Sequence, residues 1–338
     1  MPTPRPRTSL PALCAALFAG TACRPPQPLA ALPAAGLQGV ELVEGRLVER
    51  LAPQDNAQLV ILYGAEERGD PFPCGCEGGA KGGLARQAAY ASATRGAENS
   101  PPVLHVNAGG WSLDAPGFDG EPRADAPLTN QWMTAGLKAA GVQVLNLGYG
   151  DIMGMRSLAG EAGLPVVSAN ISGPGVLPHH IVVVGGLRVG VTGITAEGSP
   201  AVPTPGYTRA DPYRAGKAEL LRLRPEVDRV VLLSQGATEH ARRLADDGLV
   251  DVVIDANTHH GTYQPLQVGR AVWVRAIFQT ERIGELRVGW GADGALAWGL
   301  DRKVQLDDKL PDEPEVGRLM RAAKHELSAA SAALFGPR

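Results

Sequence analysis

Two cysteines separated by one residue are the side chains whose type and spacing point most directly to chemistry. Cys74 and Cys76 lie in the stretch DPFPCGCEGGAKGGLAR, residues 70–86. A disulfide across a single intervening residue closes a small, strained ring, and strained disulfides are the more easily reduced and more reactive ones. Gly75 provides the backbone freedom that such a ring requires. The pair therefore predicts a redox-active or metal-binding thiol site, and the alternative is a loop staple or two unreactive thiols.

The glycine-rich run after the cysteines leads into a predicted helix. Gly82 and Gly83 permit a tight entry to that helix, and Arg86 lies in its first turn. A helix N-terminus with a cation beside it attracts anions, so these three residues predict a weak anion site. The run lacks the Gly-Lys-Ser/Thr ending of nucleotide-binding phosphate loops. A closely packed strand-to-helix turn is the alternative interpretation.

The first residues have the pattern of an export signal. Arg5 and Arg7 precede the apolar run LPALCAALFA, residues 10–19, which is too short to span a bilayer as a stable helix. The segment GTAC, which ends at Cys23, resembles a bacterial lipoprotein cleavage box. We expect lipidation of Cys23, with ordinary cleavage after Ala22 as the alternative. The sequence thus predicts a protein exported to the bacterial periplasm or outer surface, whose first partner is the membrane that its lipid enters.

These features divide the chain into four segments. The predicted segments are a signal peptide over 1–22, a Pro- and Ala-rich tether over 23–55, a folded domain over 56–305, and a C-terminal linker and helix over 306–338. Cys14 leaves with the signal peptide, so Cys74 and Cys76 are the cysteines of the folded domain. Export places them in an oxidising compartment, where a thiol redox partner is the expected partner.

Composition and charge limit the other partners. A chain of 338 residues that is 44% hydrophobic has enough apolar material for a sizeable core. The formal net charge is -3, and the sequence contains no concentrated block of Lys and Arg. Because neutralising phosphates requires such a basic face, nucleic acid is not an expected partner.

Short apolar runs rich in branched residues alternate with helical patterns. The runs predicted as strands are 57–63, 102–106, 142–147, 165–169, 180–184, 187–191, 227–233 and 249–254. The segments predicted as helices are 84–94, 130–140, 212–223 and 237–247. Two further runs, 281–290 and 295–304, flank the turn sequence GADG and predict a β-hairpin. The alternation predicts an α/β domain with largely buried strands.

About ten segments, in this order, resemble the periplasmic 5'-nucleotidase branch of the calcineurin-like metallophosphatases between residues 58 and 316. They are LVILYGAEERG, GGLARQAAY, VLHVNAGG, LKAAGVQVLNLGYGD, LPVVSANI, LRVGVTGIT, VVLLSQG, VDVVIDANTHH, IGELRVGW and VQLDDKLPDEPEV. The resemblance implies packed β-sheets flanked by helices, with metal ligands on the loops that follow the strands. In the nucleotidases a further C-terminal domain clamps the nucleobase. Here an Ala-rich helix over 317–338 is expected in its place, either packed on the domain or as a remnant linker or docking element.

The resemblance also implies two metal ions, and the sequence departs from the ligand motifs that would hold them. The D-x-H motif falls on Glu66-Glu67-Arg68, and the bridging Asp falls on Gly110. The residues N-H-E fall on Tyr149, Gly150 and Asp151, and the His of L-S-H falls on Gln235. The two histidines of G-H-x-H fall on Asn257 and His259. Arg68 is a fixed cation and cannot bind a metal. We therefore predict that dinuclear phosphoester hydrolysis has been lost.

Three functional hypotheses remain from the sequence. A subgroup of such exported proteins carries P-C-G-C before G-G-L-A-R, with selenocysteine in some members, which implies a redox role for Cys74 and Cys76. The first hypothesis is therefore a non-hydrolytic protein with a Cys-Gly-Cys redox or metal-binding site. The second is a hydrolase with a rebuilt centre, either one metal ion or a residual Mn or Zn site, whose candidate ligands are Glu66, Glu67, Asp151, Asp255, His259 and His260. The third is a binding module without chemistry. No other cofactor is expected.

Overall fold

The computed structural model describes residues 57–75, 79–97, 99–117, 119–196, 204–256, 265–276 and 280–335. The strands are β1 Leu59–Gly64, β2 Val103–Asn107, β3 Val144–Asn146, β4 Val166–Val167, β5 Ile171–Ser172, β6 Val176–Leu177, β7 His180–Val184, β8 Leu187–Thr195, β9 Thr208–Arg209, β10 Arg229–Gln235, β11 Val252–Asp255, β12 Leu266–Val268, β13 Ala271–Arg275, β14 Arg282–Trp290 and β15 Leu296–Gln305. The helices are α1 Leu84–Gly96, α2 Ala126–Ala139, α3 Asp151–Ser157, α4 Pro212–Leu223, α5 Thr238–Asp246 and α6 Pro314–Phe335, and a 3₁₀ turn covers Arg224–Glu226.

Two large sheets form the domain. The seven-stranded sheet has the order β15-β14-β1-β2-β3-β4-β6, and the six-stranded sheet has the order β12-β13-β11-β10-β8-β7. Strands β1, β2, β3, β4 and β6 run parallel, as do β8, β10, β11 and β13, whereas β14, β15, β12 and β7 pair antiparallel. A parallel arrangement brings the carboxyl ends of successive strands to one edge, which is where loops can assemble a site.

Alternate residues of the strands fill the space between the sheets. Leu59 and Ile61 of one sheet and Val231 and Val252 of the other belong to the same buried cluster. The opposite face of each sheet is covered by helices: α1 and α2 on the first, α4 and α5 on the second. Central strands such as β1 and β10 are buried on both faces and are therefore nearly continuous apolar runs. The predicted α/β fold of packed sheets flanked by helices is confirmed.

Helix α6 packs on helices rather than on a sheet. Val316, Met320 and Ala323 are buried in the cluster that it shares with α1 and α2. The approach is close at Gly136 of α2, where an added Cβ would lie 2.6 Å from a Leu84 methyl and 2.9 Å from Met320 Cε. The packing role is therefore the one that the contacts of this helix support.

Several short elements escaped the sequence prediction. Strands β5, β6 and β9 have two residues each, and α3 has seven, too few to display a hydrophobic period. Strand β13 was also missed, although it is buried beside β11.

The predicted signal peptide and the whole of the predicted tether, including Cys14 and Cys23, lie outside the described residues. Among the helices of the described ranges, none combines the length and apolar character needed to cross a membrane.

Candidate functional site

The carboxyl ends of the parallel strands of both sheets meet in one cleft. Glu66 follows β1, Tyr149 follows β3, and Gln235 is the last residue of β10 in the other sheet. Gln235 Nε2 donates a hydrogen bond of 2.7 Å to Glu66 Oε1. Gln235 Oε1 accepts one of 2.7 Å from the backbone N–H of Tyr149. The sequence positions where the resemblance placed metal ligands are thus brought together, but they bond to one another.

Arg68 completes this arrangement on the solvent side. Its Nε and Nη2 donate to Glu66 Oε2 over 3.2 and 3.1 Å. Both carboxylate oxygens of the nearly buried Glu66 therefore have partners, and its charge is compensated by a guanidinium. We call Glu66, Arg68, Tyr149 and Gln235 the strand-end network.

Gly110 leaves the space that the Glu66 carboxyl group fills. A Cβ added to Gly110 would lie 2.8 Å from both Cδ and Oε1 of Glu66. The backbone of Gly110 has φ of 78°, which favours glycine. Glu66 and Arg68 also have positive φ values, 61° and 53°. Non-glycine residues adopt this region at a cost, so the local fold is under strain where it aims the Glu66 side chain into the cleft.

Asp151 anchors the loops beneath the network. Its Oδ2 accepts hydrogen bonds from the N–H groups of Gly110 and Gly148 at 2.7 and 2.8 Å. Its Oδ1 accepts from the N–H and hydroxyl of Ser112 at 2.9 and 3.0 Å. Burial raises the pKa of Asp151 to about 7 although these bonds act to lower it. With these four hydrogen bonds, both oxygens of the Asp151 carboxylate hold the surrounding loops in place.

Glu67 is a second buried carboxyl group at the same strand end. Its Oε2 accepts a hydrogen bond of 2.8 Å from Asn107 Nδ2. Burial raises the pKa of Glu67 to about 7, and the nearby charges of Asp151 and Glu66 act in the same direction. This group therefore titrates near neutrality, with little attraction from a cation.

Among the described residues, the donor set does not fit the pair of metal ions that the sequence resemblance implies. In the described ranges, no group of three or more His, Cys, Asp or Glu side chains could hold a metal ion. Glu66 and Asp151 both lie at the cleft, but their oxygens are engaged as described above. Asp255 is buried at the end of β11, within 3.6 Å of Arg275 and 3.2 Å of the Thr238 hydroxyl. Asn257, His259 and His260 follow β11 and lie outside the described residues.

Cys74 lies at the same edge, beside the start of β14. Its N–H and carbonyl pair with the carbonyl and N–H of Lys81 at 2.8 and 3.3 Å, which closes the loop that carries Cys76. The half-buried thiol donates to Glu281 Oε1 over 3.6 Å. Glu281 directly precedes β14, the antiparallel neighbour of β1. Cys76 lies outside the described residues.

Gly82, Gly83 and Arg86 form a tight turn into α1. A Cβ on Gly82 would lie 2.7 Å from the Thr280 backbone, and one on Gly83 would lie 2.8 Å from the Pro73 ring. Arg86 Nη1 donates to the Ala80 carbonyl at 2.6 Å. Close packing therefore requires both glycines, and a loop carbonyl competes with any anion for Arg86. The weak anion site stays a prediction.

Sequence reasoning missed two residues near this edge. Glu281 was read only as the start of a hairpin strand, and no local pattern links it to Cys74 more than two hundred residues away. Arg209 was not singled out, yet its guanidinium stacks on the Tyr149 ring with 4.8 Å between Cζ and the ring centroid. A basic residue in a strand of only two residues carries no sequence signal for such a contact.

No protein-family model matches the chain, and no curated protein matches it. Among solved structures, the 5'-nucleotidase precursor of Thermus thermophilus is similar over 80% of this chain and 59% of its own, with 20% identity and a TM-score of 0.65. The NAD nucleotidase of Haemophilus influenzae is similar over 80% and 60%, with 16% identity and a TM-score of 0.62. The calcineurin-like phosphoesterase YfkN of Bacillus subtilis is similar over 81% and 98%, with 15% identity and a TM-score of 0.61.

These similarities show the fold. The chain has the scaffold of the 5'-nucleotidase-like calcineurin-like phosphoesterases, as the sequence resemblance predicted. It spans about three fifths of the length of the two nucleotidases.

Proposed function

We propose that the chain is an exported, lipid-anchored protein that keeps a phosphoesterase scaffold without dinuclear phosphoester hydrolysis and uses Cys74 and Cys76 for thiol chemistry. The observation that carries the first half is the hydrogen bond of 2.7 Å between Gln235 and Glu66. A site built to bind cations leaves carboxylate oxygens free to converge on the ion. Here the residues at the ligand positions satisfy each other.

The surroundings of Cys74 support the thiol half of the proposal. The backbone of Cys74 is fixed by its pairing with Lys81, and Cys76 follows two positions later in the sequence. The carboxylate of Glu281 lies 3.6 Å from the Cys74 sulfur and is placed to accept its proton. A nucleophilic thiol beside a proton acceptor is the arrangement that thiol–disulfide exchange requires.

The exchange step needs a disulfide in a partner as oxidant. Cys74 gives its proton to Glu281, and the thiolate attacks one sulfur of the partner disulfide. That S–S bond breaks, a mixed disulfide forms, and the other partner sulfur leaves as a thiolate that takes up a proton. The Cys76 thiolate then attacks Cys74 Sγ and releases the second partner thiol. This chain loses two electrons as its disulfide forms, and the partner gains them; the reverse sequence oxidises a partner dithiol.

A redox titration tests this step. The full chain with Cys14→Ser and Cys23→Ser retains two thiols, whose alkylation is counted by mass spectrometry across ratios of oxidised to reduced glutathione. We expect both thiols to become protected from alkylation together, in one two-electron transition, as their disulfide forms. Glu281→Gln should slow the exchange roughly tenfold or more. Glu315→Gln, which changes an exposed carboxylate, is the matched control and should leave the rate unchanged.

Metal content and phosphoesterase assays test the other half. The full chain is purified without chelator or affinity metal, and AMP and bis(p-nitrophenyl) phosphate are offered with added Mn²⁺ or Zn²⁺. We expect no hydrolysis above that of a Cys74→Ser, His259→Ala double variant. Two equivalents of metal with hydrolysis lost in His259→Ala would instead establish a rebuilt hydrolase. One equivalent of metal in the wild type that is lost in Cys74→Ser would show that the thiols bind metal. If the two thiols neither form a disulfide nor bind metal, only the binding-module hypothesis remains.

A further inference from the structure

A small cavity adjoins the strand-end network through Arg209, which lines the cavity and stacks on the Tyr149 ring. It has a volume of about 200 Å³ and is lined by residues around the β5–β9 pair, among them Arg209 and the hydroxyl-bearing Ser168, Ser172 and Thr208. Ser172 and Thr208 are exposed, so the cavity reaches the surface. Ligand sites for drug-sized molecules are roughly 300–1,000 Å³, so this one suits a ligand of only a few atoms.

Arg209 is the cation of this cavity, and one edge of its guanidinium is unsatisfied. Its Nε and Nη2 atoms are buried, and neither has a hydrogen-bond partner within the described ranges. The stacking on Tyr149 fixes the plane of the group without using its N–H donors. Buried polar groups are nearly always hydrogen-bonded, and leaving a charged donor unpaired is costly.

The unsatisfied edge is the one that arginine presents to an anion. Nε and Nη2 form a planar fork that matches two oxygens of a carboxylate, phosphate or sulfate. Other arginines of this chain use the same pair of atoms in this way. Arg123 donates from Nε and Nη2 to the two oxygens of Asp125 at 2.9 and 2.5 Å. In Arg209 the same pair of atoms is buried and has no acceptor among the described residues, while the Tyr149 ring lies against the guanidinium.

The lining of the cavity favours negative charge. Of the described residues that line it, none is acidic, and the hydroxyl groups of Ser172 and Thr208 lie 2.7 Å apart at its mouth. Hydroxyl groups can donate to further oxygens of a bound anion. From these observations we infer that the cavity binds a small oxyanion, a phosphate, sulfate or short carboxylate, through the Nε–Nη2 fork of Arg209. This inference goes beyond the thiol chemistry proposed above and does not depend on it.

Isothermal titration calorimetry on the full chain tests the inference with three probes: inorganic phosphate, sulfate and acetate. We expect at least one of them to bind saturably at one ion per chain. Arg209→Gln should weaken that binding tenfold or more, because it removes both the charge and the fork. Arg214→Gln removes the same charge from an exposed position on α4 and should leave the affinity unchanged. The ranking of the three probes identifies which oxyanion the cavity prefers.

Arg209→Lys provides a second test, since it keeps the charge and loses the planar fork. We expect binding weaker than in the wild-type chain and stronger than in Arg209→Gln, with circular dichroism confirming that each variant is folded. Saturation by none of the three anions at millimolar concentration overturns the inference, as does an affinity that survives in both Arg209 variants. Cys74→Ser should bind the anion like the wild type, so failure here is distinct from failure of the thiol proposal.

Discussion

Gln235 and Glu66, which are 169 residues apart in the chain, are joined by a side-chain hydrogen bond of 2.7 Å at the floor of the cleft. The bond connects the end of β10 in one sheet to the residue that follows β1 in the other. Gln235 also accepts from the Tyr149 backbone, so one amide serves three segments. The two sheets are thereby joined at the edge where the sequence resemblance placed the metal-ligand positions.

Gln235→Leu should lower the free energy of unfolding by roughly 1–3 kcal/mol, because Glu66 Oε1 and the Tyr149 N–H each lose a partner. Urea denaturation followed by circular dichroism measures the change. Gln131→Leu on the exposed face of α2 is the matched control and should change stability by less than about 0.5 kcal/mol. Equal stability of the two variants would contradict a structural role for the network.

Gly110→Ala should be more destabilising than Gly163→Ala. Both glycines have positive φ, 78° and 70°, so each alanine carries a backbone strain of about 1–2 kcal/mol. A Cβ on Gly163 meets nothing within 4 Å, whereas one on Gly110 meets Glu66 at 2.8 Å. We expect a further loss of roughly 1–3 kcal/mol for Gly110→Ala from this overlap. Urea midpoints measured on both variants separate strain from overlap, and identical losses would show that the Glu66 side chain moves away freely.

His105 should contribute a loss of stability as the pH falls, opposite in sign to the contributions of Glu67 and Asp151, whose raised pKa values favour the folded state in acid. This histidine is fully buried, and burial, assisted by the positive charge of Arg95, lowers its pKa to about 3. The unfolded chain, with a pKa of about 6.5, binds more protons below that pH. His105 therefore lowers the free energy of unfolding by up to about 1.4 kcal/mol per pH unit as pH falls from 6.5 towards 3.

Thermal or urea unfolding between pH 4 and 7 checks this slope. Relative to the wild type, His105→Gln should gain stability progressively as the pH falls over that range, whereas His325→Gln, at an exposed position of α6, should leave the pH dependence unchanged. The same pH dependence in His105→Gln and in the wild type would contradict this role of His105.

Arg86→Gln should loosen the loop that carries the cysteines. Arg86 holds the Ala80 carbonyl at 2.6 Å, next to Lys81, whose N–H pairs with the Cys74 carbonyl at 3.3 Å. Losing the first contact should expose the second, so amide exchange of Lys81 should accelerate by about tenfold or more, which corresponds to roughly 1.4 kcal/mol of local opening. Hydrogen exchange with mass spectrometry measures it. Arg95→Gln, which removes a contact to the Gly141 carbonyl, should not affect this loop.

Most of the fold could be predicted because buried strands and amphipathic helices have periods that the sequence displays. Segments 180–184 and 212–223 agree with β7 and α4 at both ends. The hairpin around GADG is confirmed by the antiparallel pairing of β14 and β15. Strands β5 and β9 could not be predicted, because their two-residue pairing depends on tertiary contacts rather than on a pattern.

The location of the candidate site could be predicted from the sequence, but the hydrogen bonds between its residues could not. The resemblance implied that Glu66, Tyr149 and Gln235 would lie at one site, because it placed the ligand positions on loops that follow the strands. That Gln235 would bond to Glu66 depends on side-chain directions across two sheets, which no spacing rule supplies. The same holds for Glu281 beside Cys74, since the residues meet only because β14 returns to pair with β1.

Tyr149 divides its contacts between backbone and side chain. Its N–H belongs to the bond with Gln235, which any residue except proline can make, while its ring supports Arg209. Mutation can therefore alter the aromatic platform and leave the tie between the sheets untouched. Position 149 therefore separates two properties that one residue usually couples: the support of Arg209 depends on the side chain, and the link between the sheets depends on the backbone.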